Sequence, residues 1–309
     1  MTPSADERLQ EELWRGAIPV EVHLASDEVA TADPPPPVFA LVPRAAYLPV
    51  WHDTPDGPGA AFASALPPGR GASPWFDHEG LPLRWNLPAG VLHDLTVARR
   101  RADEDRLPWR LTAHYRPNVD ADASSSAARV DDGLYRCDGE DAARAHFFNA
   151  LKEATHVTRG SAAAVMAMTR AAREGLWRSV ATGNRTDARK AMEELFEDGD
   201  KTGTARRVPL RVYARLDGGA EMRGWNEVVS VSAPASVLAD ESAAESTADG
   251  AEASRGTTLG DALERILGEG ALETRRATVH GVEVSPRTNL ESLHAAMRSP
   301  DQFLHVCVF

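Results

Sequence analysis

The chain ends with three short stretches, VHGVEV at 279–284, TNLESL at 288–293 and FLHVCVF at 303–309. In the first stretch, valines at alternating positions flank a His-Gly pair, which predicts a β-hairpin with a two-residue turn. The second stretch predicts one short helical turn, and the third alternates in the manner of a strand. Hairpin, helical turn and strand therefore close the chain.

The residues before these stretches complete the same domain. RVPLRVYARL at 207–216 alternates as a strand, and WNEVVSVS at 225–232 is its expected hairpin partner. Thr257 or Thr258 can cap a helix over LGDALERIL at 259–267. This order of elements is that of a ubiquitin-like β-grasp fold. We expect the helix to cover one face of its sheet and the other face to be exposed, which would explain the alternation.

The first part of the chain is mainly of β character. A short amphipathic helix is predicted at 5–15, where Leu9, Leu13 and Trp14 lie about one turn apart. Further strands are predicted at 20–24, 38–42, 75–79, 81–85 and 107–115, with a short helix at 88–97.

The middle of the chain is helical. Apolar residues recur with helical spacing in three segments, 140–158, 161–182 and 187–198, with Ser161 as the expected N-cap of the second. Glycines follow the second and third segments, as is common after helices. Three short antiparallel helices predict a small bundle.

Three segments are predicted to be loops or linkers. Residues 52–73 are rich in Pro, Gly and Ala, and residues 118–132 are small and polar. Residues 232–255 combine low hydrophobicity with negative charge, so they cannot bury enough apolar area to offset their ordering entropy. We expect this acidic insertion to interrupt the last domain and to be dispensable for partner binding.

Composition excludes several classes of protein. The formal charge of −12 is unfavourable for a nucleic-acid-binding protein, which must neutralise phosphates. A mean hydropathy of −0.36, no apolar run long enough to span a bilayer and no secretory signal predict a cytoplasmic protein. Two cysteines fit a reducing compartment. We expect no cofactor and no metal, because His305 and Cys307 are too few ligands and no phosphate-binding loop occurs.

Lysine is rare, because it occurs at only three positions among 34 basic residues. Lys152 lies one residue after Leu151 in a predicted helix, at the flank of the apolar stripe, with its amine expected to reach solvent. A lysine amine can attack a thioester and form an isopeptide bond, whereas a guanidinium cannot. The alternative is ordinary surface charge, which is our interpretation of Lys190 and Lys201.

Nine stretches in the same order resemble the autophagy protein 5 family. They are LWRGAIPVEVHL (13–24), LVPRAAYLP (41–49), WFDHEGLPLRWNLPAGVLHDL (75–95), LPWRLTAHY (107–115), AHFFNALKEA (145–154), RRVPLRVY (206–213), TLGDAL (258–263), VHGVEVSPRTNLESL (279–293) and SPDQFLHVCV (299–308). The resemblance implies an α+β protein with two ubiquitin-like domains flanking a three-helix bundle. The expected units are an N-terminal helix (1–18), a first ubiquitin-like fold (19–117), a linker (118–138), the bundle (139–200) and a second ubiquitin-like fold (205–309) interrupted near 232–256.

The resemblance also implies a function. The family motif around His146, Phe147 and Ala154 places the covalent acceptor of the ubiquitin-like autophagy protein 12 at Lys152. Family members bind a helix of autophagy protein 16 noncovalently, and Leu9, Leu13 and Trp14 are candidates for that groove. The complex promotes transfer of autophagy protein 8 to phosphatidylethanolamine, with transient contact to the conjugating enzymes autophagy proteins 3 and 10. This implies a non-catalytic scaffold in the cytoplasm, peripheral on the phagophore membrane.

Three alternatives stay open at this point. One is the same scaffold assembled without a covalent bond, and another is a generic ubiquitin-fold adaptor. The third is a thiol enzyme using Cys137, although Asp138, Glu140 and Asp141 beside it disfavour a thiolate. Since Phe309 ends a strand and is not glycine, we do not expect the chain itself to be a conjugated modifier.

The chain departs from the family pattern at Arg144, where family members often carry an acidic residue. This difference would alter the surface that binds the modifier noncovalently.

Overall fold

The computed structural model describes residues 5–67, 73–97, 107–116, 135–196, 207–216, 222–236 and 257–309. Its helices are α1 (Ala5–Arg15), α2 (Leu48–His52), α3 (Gly59–Phe62), α4 (Ala89–Val97), α5 (Glu140–Arg159), α6 (Ala163–Ala167), α7 (Arg170–Thr182), α8 (Arg185–Phe196), α9 (Leu259–Leu267) and α10 (Leu290–Met297). Its strands are β1 (Ala17–Leu24), β2 (Val38–Pro43), β3 (Trp75–His78), β4 (Leu81–Pro82), β5 (Trp109–His114), β6 (Arg207–Arg215), β7 (Val228–Ser236), β8 (Ala277–Val279), β9 (Val282–Val284) and β10 (Leu304–Val308).

The first five strands form one sheet in the order β2-β1-β5-β3-β4. At its centre β1 pairs antiparallel with β2 and parallel with β5. Alternate residues of β1 are buried, which is the pattern of a strand with one face on a core. Leu92 and Leu95 of α4 meet Trp109 of β5 in that core. The first part of the chain therefore forms a ubiquitin-like domain.

The last five strands repeat this arrangement in the order β7-β6-β10-β8-β9. The central pair, β6 and β10, is again parallel, and the hairpin β8-β9 lies at one edge. Leu259 and Leu263 of α9 are fully buried in the core of this domain. Thr258 caps α9 in a reciprocal capping box with Asp261. The prediction of a second ubiquitin-like fold is confirmed.

The expectation that this second sheet has an exposed face is wrong for its central strands. β10 is buried at every position and β6 at nearly every one. The face away from α9 packs against the rest of the protein, because Tyr213 and Cys307 join the core of the first domain. Trp225 strengthens the contact, since its indole Nε1 donates a hydrogen bond of 2.6 Å to the carbonyl of Pro82.

The helical bundle contains four segments, α5 to α8, and not the three that were predicted. The long second helix is interrupted near Met168, and Thr169 starts α7 by accepting a hydrogen bond from the amide of Ala172. An N-cap residue is non-helical, so the chain leaves the helix at Thr169. The N-cap position of α6 is Ala162 and not Ser161, although the hydroxyl of Ser161 accepts a hydrogen bond of 3.1 Å from the amide of Ala163.

Two segments predicted to be loops contain ordered structure. Within 52–73, Phe62 ends α3 and is fully buried in the first core, so one aromatic side chain anchors a stretch that composition alone assigns to a loop. β7 continues to Ser236, four residues beyond its predicted end, and tolerates Pro234 because it is the edge strand. Residues 118–132, and the insertion from 237 to 256, lie outside the described residues. No described helix combines the length and apolar character needed to cross a membrane.

Candidate functional site

Lys152 lies on the middle of α5, at the boundary between its buried and exposed faces. Leu151, the preceding residue, is fully buried in the bundle core, and Phe148, one turn earlier, is 5% exposed. The side chain of Lys152 is half-buried, and its Nζ lies 3.4 Å from Oδ1 of Asn149. The amine is therefore held on a rigid helix but remains open to solvent.

An open groove of about 650 Å³ adjoins this amine. Phe148 and Met168, both largely buried, form its apolar part. The polar residues that line it are Asp141, Arg144, Asn149, Lys152, Arg170, Arg173 and Glu174. Because α5 supplies one wall and the α6–α7 junction the other, the break at Thr169 shapes this groove.

The groove is locally basic on an acidic chain. It carries Lys152 and three arginines against two carboxylates. Arg144 binds Glu174 at 2.8 Å, and this hydrogen bond is the main reason that the pKa of Glu174 lies below its usual value. The Arg173 guanidinium lies 4.9 Å from the centre of the Phe148 ring, a cation–π contact. The surface beside Lys152 therefore combines an apolar floor with fixed positive charge.

The two histidines near Lys152 have different surroundings. His146 is packed between Tyr47 and Trp85, with ring centres 5.9 and 5.4 Å away. Burial lowers its pKa, which favours the neutral ring. His156 is exposed one turn after Lys152. His146 therefore belongs to the packing that holds α5.

Glu153, the residue after Lys152, faces the second ubiquitin-like domain. Its carboxylate accepts hydrogen bonds from Nη2 of Arg211 at 3.3 Å and from Oγ of Ser232 at 3.0 Å. Sequence analysis did not identify these residues, because 58 and 79 positions separate them from Glu153. Alternation in the strand 207–216 places Arg211 on one face, but it does not show which helix meets that face.

Comparison with known proteins agrees with this architecture. Residues 13–115 match the family described as Autophagy protein ATG5, UblA domain, residues 140–197 match its alpha-helical bundle region, and residues 207–308 match its UblB domain. The chain belongs to the autophagy protein 5 family.

Curated relatives support the assignment, and a solved structure shows the same fold. Autophagy protein 5 of Oryza sativa subsp. indica is 33% identical over 260 residues, covering 74% of this chain and 63% of the rice protein. The match to the Arabidopsis thaliana protein is 27% identical and covers 96% of both chains. The crystal structure of Kluyveromyces marxianus Atg5 has the same fold, with a TM-score of 0.67 at 20% identity over 98% of this chain and 100% of that one. The matched part of the chain thus spans less than two thirds of the length of the rice proteins.

The three groove candidates of α1 lie in different environments in this autophagy protein 5 family member. Leu13 packs against the core of the second ubiquitin-like domain and Trp14 against the core of the bundle. Leu9 is 41% exposed. Gln10 ties α1 to α10 by donating a 2.5 Å hydrogen bond to the carbonyl of Ala295. α1 therefore touches two modules, and Leu9 is the candidate that remains accessible.

The surroundings of the two cysteines and of His305 are those of buried, packed side chains. Cys137 is buried, and burial raises its pKa to about 11, the opposite of what a thiolate nucleophile needs. Cys307 is buried, and its pKa is raised for the same reason. His305 bonds Asp301 and Tyr213. Across the described residues, no group of three His, Cys, Asp or Glu side chains could hold a metal ion.

Of the other two lysines, Lys201 lies outside the described residues, as does the side chain of Lys190.

Proposed function

We propose that this protein is an autophagy scaffold that accepts the ubiquitin-like autophagy protein 12 on Lys152. The observation that carries the proposal is the amine of Lys152 at the edge of an open, partly apolar groove on a rigid helix. A protein joined to this amine would lie over the groove, where Phe148 and Met168 offer apolar contact and three arginines offer charge. Acidic residues on the modifier would complement them.

The reaction is aminolysis of a thioester. The neutral amine of Lys152 attacks the thioester carbonyl of the charged conjugating enzyme, a C–N bond forms, the C–S bond breaks, and the enzyme cysteine leaves as a thiolate. The nitrogen loses a proton in the process. A base on the enzyme or a water molecule accepts that proton. In this proposal the scaffold contributes position and access, and no catalytic group.

The rest of the proposed assembly follows from the family. Autophagy protein 16 would bind noncovalently through a helix placed against exposed apolar residues such as Leu9. Autophagy proteins 3 and 10 would make transient contacts, and the complex would promote transfer of autophagy protein 8 to phosphatidylethanolamine. We place this activity in the cytoplasm and on the phagophore membrane, where the complex is peripheral.

Intact-mass analysis of the protein from its native cell tests the proposal, with wild type beside Lys152→Arg and the matched control Lys190→Arg. We expect a species heavier by one ubiquitin-like protein in the wild type and in Lys190→Arg, but not in Lys152→Arg. Without an adduct in any of the three, the covalent proposal would be wrong and a noncovalent scaffold would remain. An adduct that survives in Lys152→Arg would move the site to another lysine.

A further inference from the structure

Glu153 joins α5 to the second ubiquitin-like domain directly beside Lys152. Oε2 of Glu153 accepts from Arg211 of β6 at 3.3 Å, and Oε1 accepts from Ser232 of β7 at 3.0 Å. The carboxylate therefore spans two neighbouring strands. Successive helical residues are about 100° apart, so a contact that fixes the direction of Glu153 also fixes that of Lys152.

Arg211 is the rigid half of this contact. Its side chain is 16% exposed, and its guanidinium carbon lies 4.0 Å from the centre of the Phe303 ring. Nη1 lies 3.8 Å from the buried carboxylate of Asp301, which in turn binds Nε2 of His305 at 3.1 Å. Because the buried Phe303 ring and the buried Asp301 carboxylate both hold the guanidinium, Glu153, which is itself half-exposed, binds a preorganised arginine.

The residues of α5 next to Glu153 that face the second sheet are small. Ala150 and Ala154 are buried against Phe303 in a small cluster separate from the bundle core. Alanines allow a close approach between α5 and the sheet, but their smooth surface resists rotation of the helix only weakly. On this side of α5 the contact of Glu153 with Arg211 and Ser232 adds a directional polar restraint to the close packing.

We propose that Glu153 and Arg211 are positioning residues that fix the rotation of α5 and so the direction in which Lys152 presents its amine. This inference rests on the proposed acceptor role of Lys152. It makes the second ubiquitin-like domain part of the acceptor site, although no atom of that domain lines the groove. Loss of the contact leaves the amine chemically intact but allows it more orientations. This lowers the rate of isopeptide-bond formation once the charged conjugating enzyme is bound.

Conjugation kinetics provide the first test. The full chain is mixed with conjugating enzyme carrying cognate autophagy protein 12 as a thioester, and single-turnover adduct formation is followed over a range of scaffold concentrations. For Glu153→Ala we expect the maximal rate to fall on the order of tenfold, with little change in the half-saturating concentration. Glu264→Gln, at an exposed position of α9, is the charge-matched control and should behave as the wild type.

Coupling between the partners sharpens this test. Ser232→Ala should lower the maximal rate less than Glu153→Ala does, and it should have no further effect in the Glu153→Ala background. Arg211→Lys keeps the charge but not the fork that reaches both Glu153 and Asp301, so it should resemble Glu153→Ala. Additive effects in the Ser232 and Glu153 pair would contradict the proposed contact.

A second measurement does not depend on conjugation. Spin labels on cysteines placed at His156 of α5 and Val282 of β9, both exposed, report the distance between helix and domain by pulsed electron resonance. We expect one narrow distance distribution in the wild type and in Glu264→Gln, and a broader or shifted one in Glu153→Ala. If Glu153→Ala matches the control in both measurements, the inference is overturned. If the wild type forms no adduct, the proposed function fails, and the distance measurement still decides whether Glu153 fixes α5.

Discussion

Gly281 of the second ubiquitin-like domain lies against Arg44 of the first. A Cβ added at Gly281 would be 3.1 Å from Nη2 of Arg44 and 3.2 Å from Oδ1 of Asp94. Arg44 and Asp94 form an ion pair that is largely buried. The hairpin turn between β8 and β9 is thus seated on an ion pair of the other domain, and glycine permits the approach.

The first prediction compares two similar hairpin turns, one in each ubiquitin-like domain. Glu79-Gly80 and His280-Gly281 are both two-residue hairpin turns with positive φ at each position. Gly80 has no atom near an added Cβ, whereas Gly281 has Arg44 and Asp94. We expect Gly80→Ala to cost about 1–2 kcal/mol of unfolding free energy from backbone strain alone. Gly281→Ala should cost about 1–3 kcal/mol more, because the interface must move.

Denaturant unfolding of both variants gives the comparison. Equal losses of stability in the two variants would show that the turn at Gly281 does not pack against Arg44 in solution.

The second prediction concerns the start of α7. Thr169 accepts a hydrogen bond of 3.2 Å from the amide of Ala172, so Thr169→Ala should lower stability by about 1 kcal/mol. Thr169→Ser keeps the hydroxyl and should stay close to the wild type. Thermal and chemical unfolding of the three proteins measure this difference. If the alanine and serine variants are equally destabilised, the methyl group and not the cap accounts for the effect.

The third prediction concerns acid stability. Burial, and then the nearby Arg44, lower the pKa of His280 to about 4; burial also lowers that of His294 to about 4, with the charge of Arg298 adding to it. Between pH 6.5 and 4 the unfolded chain therefore binds more protons at these two rings than the folded chain does. Stability falls as pH decreases through this window, by on the order of 2 kcal/mol for each histidine.

Unfolding free energies measured from pH 7 to pH 4 check this prediction, with His294→Gln expected to show a shallower slope than the wild type. An unchanged slope in that variant would exclude His294 as a cause.

The fourth prediction compares the removal of the acidic insertion alone with a deletion that also removes the end of β7. Replacing residues 237–256 by a short Gly–Ser linker should leave folding and partner binding intact. The structure changes the expectation that residues 232–255 are dispensable. A deletion of 232–255 should be harmful, because it removes the end of β7 and the hydroxyl of Ser232 that binds Glu153. Circular dichroism and co-purification of partners compare the two deletions. If the shorter replacement also abolishes the complex, the insertion is not dispensable.

Much of the fold could be predicted from local patterns. Strand alternation, the His-Gly turn and the capping threonine place nearly all elements of the second domain, since these signals depend on residues a few positions apart. The break at Thr169 was missed, because the apolar spacing of the bundle continues across it. The burial of Phe62 was missed too, since Pro and Gly content describes a segment and not the one side chain that anchors it.

Local periodicity in the sequence determined the second β-grasp domain, the helical region before it and the placement of Lys152 at the flank of an apolar helix face. The first β-grasp domain was expected only from the resemblance to the autophagy protein 5 family. Only the tertiary structure decided that both faces of the central strands of the second sheet are covered, that Gly281 lies against Arg44, and that Glu153 reaches Arg211 and Ser232. Those contacts join residues far apart in the chain, and a strand pattern tells which residues share a face but not which surface will cover that face.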